Sequence, residues 1–269
     1  MIICAYLYLE QTRLIYPGSL KGHIEPQKAL LRAKAAGLVP WNDSVNGSFI
    51  LEGYIRPSFT GPTSRGTIIF FHGNGEWCVD RTWDADAIAR RGFRVFLYEY
   101  PGFGGRPGIP SETAIVPDAR ALIRSLDQAG YGPIYVWGES LGTGISAAVC
   151  ADTTLPVHGL ALLMPWDNLA NVGLSMYPCV PVRWLLVDKY DSIANLEHFK
   201  HPVCVMRGDR DGVIPPSLTL NFFAHLSNPK KMILEKGFGH GNWPRSPELS
   251  WWDDVLNFIA PPEKALVGK

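Results

Sequence analysis

The sequence predicts an α/β protein: a mostly parallel, doubly wound sheet with helices on both faces. Two observations carry that expectation. The apolar runs after residue 66 are short and unbroken rather than alternating, as in strands buried on both faces. Segments of helical length separate them, which implies right-handed crossovers between parallel strands. The length agrees. A chain of 269 residues, 46% hydrophobic and 19% charged, buries about 70–75% of its unfolded surface and needs neither disulfide nor metal to fold.

The elements follow in order. Ser48–Arg56 is β-rich and stops at Pro57, and the turn-rich stretch 58–66 leads into Thr67–Phe71, a spacing that predicts an antiparallel start to the sheet. Strands buried on both faces are expected at Phe93–Tyr98, Ile134–Trp137, Val157–Leu163, Val203–Met206 and Lys231–Leu234. Helices are expected at Asp80–Arg91, Glu112–Ala129, Leu141–Ala151, Pro216–Leu226 and Pro247–Ile259, with Ser111 as an N-cap and Gly130 as a C-terminal stop. Residues 165–198 break the rhythm, being long for a strand-to-helix connection. The domain is expected to run over 49–260, with residues 1–48 packed on it as an N-terminal segment and 261–269 as a tail.

Composition removes several functions. Twenty-five basic residues balance twenty-five acidic ones and no basic run stands out, so there is no electrostatic case for nucleic acid. The five cysteines are odd in number and widely spaced without a C-x-x-C, with Cys150 and Cys204 in apolar stretches. That pattern favours a reducing, cytoplasmic setting. The apolar run Ile2–Leu9 is far shorter than the ~20 residues of a membrane span and lacks the flanks of a secretory signal. It reads as a docking strand, a docking helix or the stump of a longer anchor, and through it association with a membrane stays an open expectation.

The chemistry centres on Gly138-Glu139-Ser140-Leu141-Gly142, a G-x-S-x-G set between a predicted strand and a predicted apolar helix. A chain reversing that sharply strains the backbone at Ser140, and glycines on either side avoid collision across the turn. The hydroxyl then projects from the carboxyl edge of the sheet, above a helix N-terminus that favours negative charge. The bland alternative is a glycine-rich turn with a capping serine. A serine hydroxyl needs a base. Of seven histidines, only His240 lies in a glycine-rich loop after the last predicted strand, Gly237-Phe238-Gly239-His240-Gly241. His198 and His201 lack the companions of a metal site, and there is no H-E-x-x-H.

A carboxylate must fix the imidazole tautomer. Asp209 and Asp211, after the strand Val203–Met206, compete for that role, and spacing alone does not choose between them. Asp209 has a bland alternative, bonding loop amides. The oxyanion donors expected are the backbone N–H groups of Asn74, in Phe71-His72-Gly73-Asn74-Gly75, and of Leu141.

Together these motifs resemble the α/β-hydrolase superfamily, and within it the Bem46-like or serine-aminopeptidase-like branch that includes protein depalmitoylases. The resemblance rests also on Tyr98-Glu99-Tyr100-Pro101-Gly102-Phe103-Gly104, Pro110-Ser111-Glu112 and Gly208-Asp209-Arg210-Asp211-Gly212-Val213-Ile214-Pro215, and spans about residues 49–260. It implies a mostly parallel, eight-stranded type of sheet with a short helical cap at 165–198. It also implies Asp211, just before Val213-Ile214-Pro215, as the acid of the triad. Glu99 stands where members often carry aspartate. Members often carry a membrane helix before a segment like Arg13-Leu14-Ile15-Tyr16-Pro17; the short apolar run Ile2–Leu9 leads to the expectation that such a helix is absent or reduced here.

The expected activity is hydrolysis of a small-molecule ester or thioester through an acyl-enzyme, with no metal, nucleotide or flavin. The cap's large apolar residues, including Trp166, Met176, Tyr177 and Trp184, are expected to bind an apolar acyl group; the bland alternative is that they only pack the cap onto the domain. An amidase with the same triad and a non-enzymatic binding protein on this scaffold are the rivals. A dehalogenase is excluded by the serine at position 140.

Overall fold

The computed structural model describes residues 2–20, 26–45, 48–59 and 65–262. The chain opens with helix α1 (Ile2–Ile15), a 3-10 turn at Pro17–Leu20 and helix α2 (Pro26–Ala35). The antiparallel pair β1 (Val39–Val45) and β2 (Ser48–Arg56) follows. Next come β3 (Thr67–Phe71), a 3-10 turn at Cys78–Arg81 running into α3 (Thr82–Ala89), β4 (Arg94–Tyr98), α4 (Glu112–Gln128), β5 (Ile134–Glu139), α5 (Leu141–Cys150) and β6 (Val157–Leu163). Three short helices, α6 (Leu169–Met176), α7 (Val182–Leu185) and α8 (Ser192–Leu196), interrupt the alternation. It resumes with β7 (Val203–Gly208), α9 (Pro216–His225), β8 (Lys230–Glu235) and α10 (Trp251–Ile259).

All eight strands form one sheet in the order β1-β2-β4-β3-β5-β6-β7-β8. β1 pairs antiparallel with β2, and β2 with β4; every other neighbour is parallel. This is the eight-stranded α/β-hydrolase architecture the motifs implied. The central strands β3 and β5 are buried along their whole length, which is why they read as unbroken apolar runs. Helices cover both faces. On one, α5 packs beside α4. Elsewhere Arg91, two residues past the end of α3, donates to both carboxylate oxygens of Asp253 in α10 at 2.8 and 3.1 Å, while Trp252 of α10 packs on Trp137 of β5 with ring centroids 5.4 Å apart.

Three expectations change. The sheet begins at Val39, so a boundary at 49 falls inside the β1–β2 hairpin; Asn42-Asp43-Ser44 hid the first strand because these residues have low strand propensity. Lys231–Leu234, expected to be buried on both faces, belongs to an edge strand that is only half-buried. The last helix starts at Trp251 rather than Pro247. Of the expected C-terminal tail, residues 263–269 lie outside the described residues.

Strand order reverses at β3, with β4 on one side and β5 on the other. In open α/β sheets the crevice outside the carboxyl ends at such a point receives ligands. Asn74 follows β3, and Ser140 follows β5.

Candidate active site

Ser140 joins β5 to α5 with φ 50° and ψ −116°, a conformation an L-residue holds only when its surroundings impose it. Close approach imposes it here. A Cβ at Gly142 would stand 2.0 Å from the Phe71 carbonyl oxygen, and one at Gly138 would stand 2.5 Å from the Gly142 carbonyl oxygen. Both glycines are needed for space, since only without side chains can strand, turn and helix pack so tightly.

The turn presents Ser140 Oγ 2.8 Å from His240 Nε2, and His240 Nδ1 lies 2.9 Å from Asp211 Oδ2. An ionised Asp211 can only accept, so Nδ1 carries the proton and Nε2 is left to accept from the Ser140 hydroxyl. The other Asp211 oxygen accepts the N–H groups of Val213 and Ile214, each at 2.8 Å. Burial pushes this carboxyl's pKa up, but the hydrogen bond from His240 and the two backbone donors outweigh it and leave it below the ordinary value. Asp209 goes elsewhere. Its Oδ1 accepts the Gly237 N–H at 2.6 Å, so of the two competing aspartates it is Asp211 that meets the imidazole.

Asn74 and Leu141 both line the cavity in front of Ser140. Leu141 opens α5, so its N–H is one of the four without an acceptor inside the helix. The Asn74 carbonyl accepts the Gly18 N–H at 2.8 Å, which fixes the loop from outside.

The cavity measures about 360 Å³, at the lower end of ligand-binding size. Its walls are largely apolar. Trp166, Met176 and Tyr177 line it as the sequence suggested; Trp184 does not. Trp184 is 90% exposed, because on the single turn of α7 it points away from Val182 and Leu185, which face inward. Leu7, Gln11, Leu14 and Ile15 of α1 complete the wall, a role the sequence did not reveal. The N-terminal segment is fastened to the cap. The Tyr16 hydroxyl donates to Asp188 at 2.6 Å and lies 2.9 Å from the Tyr190 hydroxyl, while the Gln11 side chain bonds Leu185 and Val187 main-chain groups. Among the described residues, no helix is long and apolar enough to cross a membrane, and no cluster of His, Cys, Asp or Glu has the geometry to hold a metal ion.

A family profile described as alpha/beta hydrolase fold matches residues 66–186. An uncharacterized protein of Mycobacterium tuberculosis is 32% identical over 274 residues, covering 99% of this chain and 92% of that protein. The lysophosphatidylserine lipase ABHD12 of Danio rerio is 29% identical over 216 residues, and the match covers 70% of this chain and 56% of that protein. Among solved structures, an alpha-beta hydrolase from Vibrio vulnificus superposes with a TM-score of 0.68 at 18% identity, covering 92% of this chain and 91% of that one. The esterase Est2 of Thermogutta terrifontis does so with a TM-score of 0.63 at 20% identity, covering 84% and 95%. The profile match over residues 66–186, the relationship to ABHD12 and the eight-stranded architecture agree: the chain belongs to the α/β-hydrolase superfamily.

Proposed function

We propose that this chain is a serine hydrolase that cleaves carboxylic esters or thioesters bearing an apolar acyl group. The observation that carries the reading is the unbroken hydrogen-bonded line Ser140–His240–Asp211 opening into an apolar cavity. His240 Nε2 takes the hydroxyl proton as Ser140 Oγ attacks the carbonyl carbon. The backbone N–H groups of Asn74 and Leu141 hold the resulting oxyanion, helped by the N-terminal dipole of α5. The imidazolium then gives its proton to the leaving oxygen or sulfur, and the acyl group remains on Ser140. A water, deprotonated by His240, attacks the acyl-enzyme and restores the serine. Asp211 holds the imidazole in the one tautomer that serves both steps.

The acyl chain runs among Trp166, Met176, Tyr177 and the α1 residues. Relatives named as lysophosphatidylserine lipases fit the same picture, since such a substrate is an ester with a long apolar acyl chain. Hydrolysis of a nitrophenyl ester series from acetyl to dodecanoyl by wild type and Ser140→Ala tests the reading. Serine-dependent activity that rises from acetyl to medium chains supports it. A flat profile removes the apolar acyl site, and activity retained in Ser140→Ala removes the mechanism.

A further inference from the structure

Beside the triad lies a buried ion network that touches three loops of the site at once. Glu139 immediately precedes Ser140, and its Oε1 accepts from Arg81 at 2.8 Å and from Arg245 at 2.6 Å. The same Arg81 nitrogen also donates to Glu76 Oε1. Glu76 Oε1 in turn accepts the Gly73 N–H at 2.8 Å. Asp84 closes the ring, accepting from Arg245 at 2.6 Å and facing Arg81 at 3.4 Å. Arg81 and Glu139 are nearly sealed from solvent, with side chains 11% and 6% exposed.

Buried ion pairs cost desolvation and return little net stability, so stability is a weak reason for building one here. Position is a better one. Glu76 reaches the loop after β3, Glu139 belongs to the nucleophile turn, and Arg245 lies five residues beyond His240. The Gly73–Asn74 peptide stands against the nucleophile, since a Cβ on Gly73 would lie 4.0 Å from Ser140 Cβ. The atoms around that peptide are all held. The N–H of Gly73 is bonded to Glu76, its carbonyl accepts from His72 Nδ1 at 2.8 Å, and the Asn74 carbonyl accepts from Gly18.

We propose that Glu76, carried by Arg81, is a positioning residue for the oxyanion site: it fixes the Gly73–Asn74 peptide, and so the Asn74 N–H, against Ser140 by way of Glu139. This rests on the serine-hydrolase reading above and deepens it. Glu76 touches no reacting atom; it acts by holding a donor whose misplacement by about 1 Å costs on the order of a hundredfold in rate.

The test compares wild type, Ser140→Ala, Glu76→Ala and Glu76→Gln for hydrolysis of nitrophenyl butyrate, labelling by a fluorophosphonate probe, and thermal melting. Glu76→Ala is expected to lower kcat by about 10- to 100-fold with KM within about twofold, because the loss falls on transition-state stabilisation. Its labelling rate falls in parallel while its melting temperature stays near wild type. Glu76→Gln keeps an oxygen to accept the Gly73 N–H and regains most of the rate. A folded Glu76→Ala with wild-type kcat overturns the proposal. So does a glutamine variant no better than alanine, with both losses tracking a fall in melting temperature. If Glu76→Ala does not fold, Arg81→Lys decides. One ammonium cannot reproduce the fork that spans Glu76, Glu139 and Asp84, so kcat must fall, and an unchanged kcat is contradictory. Wild type lacking Ser140-dependent labelling and hydrolysis overturns the parent reading and this one together, and is recognised before any Glu76 variant is compared.

Discussion

Ser140 Oγ and His240 Nε2 lie 2.8 Å apart although one hundred residues separate them in the chain. Nothing local brings them together. The parallel sheet does, because β5 and β8 deliver their following loops to the same edge.

Asp211→Asn separates charge and tautomer from shape. The amide is nearly isosteric, but its NH2 can turn to His240 Nδ1 and force the ring proton onto Nε2, where it blocks acceptance from Ser140. The expected loss in kcat is about ten-thousand-fold, measured by ester hydrolysis, with little change in the far-ultraviolet circular dichroism. Asp209→Asn, whose side chain accepts the Gly237 amide rather than meeting the imidazole, is expected to cost far less.

The lowered pKa of Asp211 makes a stability prediction with a definite sign. The folded value lies below the unfolded value of about 3.9. The stabilisation is therefore whole above the unfolded value and is lost as pH falls through the folded one. Melting temperatures of wild type and Asp211→Asn should differ most near neutrality, and the gap should close as pH drops below about 4. A gap that widens in acid contradicts this.

Gly142→Ala probes the turn itself. The added Cβ would meet the Phe71 carbonyl oxygen at 2.0 Å, and its nearest neighbours are all backbone atoms of Phe71 and His72, which leaves nothing soft to yield. A loss of about 3 kcal/mol is expected in urea unfolding, together with loss of activity, because Phe71 leads into the loop that carries Asn74.

The cavity wall gives a paired prediction. Trp184→Ala, altering an outward-facing ring, should leave kcat/KM for nitrophenyl octanoate within about twofold, as surface changes usually do. Val172→Phe, inside the cavity, should depress octanoate hydrolysis while sparing acetate, by taking up volume that only the longer chain uses.

Much of this was legible in the residues. Thr67–Phe71 and Val157–Leu163 are strands to the residue because a strand sandwiched between helix layers is mostly apolar, with His158 the one exposed position of the second. The Ser140 turn was legible for a similar reason: few sequences can reverse from strand to helix so sharply. Other features left no local mark. Asp209 and Asp211 share one loop and one chemistry, so spacing alone left them level; the resemblance implied Asp211, and the path of β7 and β8 is what brings it to His240. The part α1 takes in the cavity was hidden because that helix is apolar on nearly every side, so no stripe shows which face turns inward. Trp184 attracted attention by its size, yet one helical turn decides its direction. Glu76, Arg81, Glu139 and Arg245 come from three separate stretches of the chain and look like ordinary surface charges until the fold closes around them.

The most direct measurement maps the adduct of a fluorophosphonate probe by peptide mass spectrometry in wild type, Ser140→Ala and His240→Ala. One phosphonyl group per chain on Ser140, absent from the alanine variant and greatly slowed without His240, is the predicted result. Unreactive wild type, or an adduct on another residue that survives Ser140→Ala, would contradict the assignment of Ser140 as an activated nucleophile.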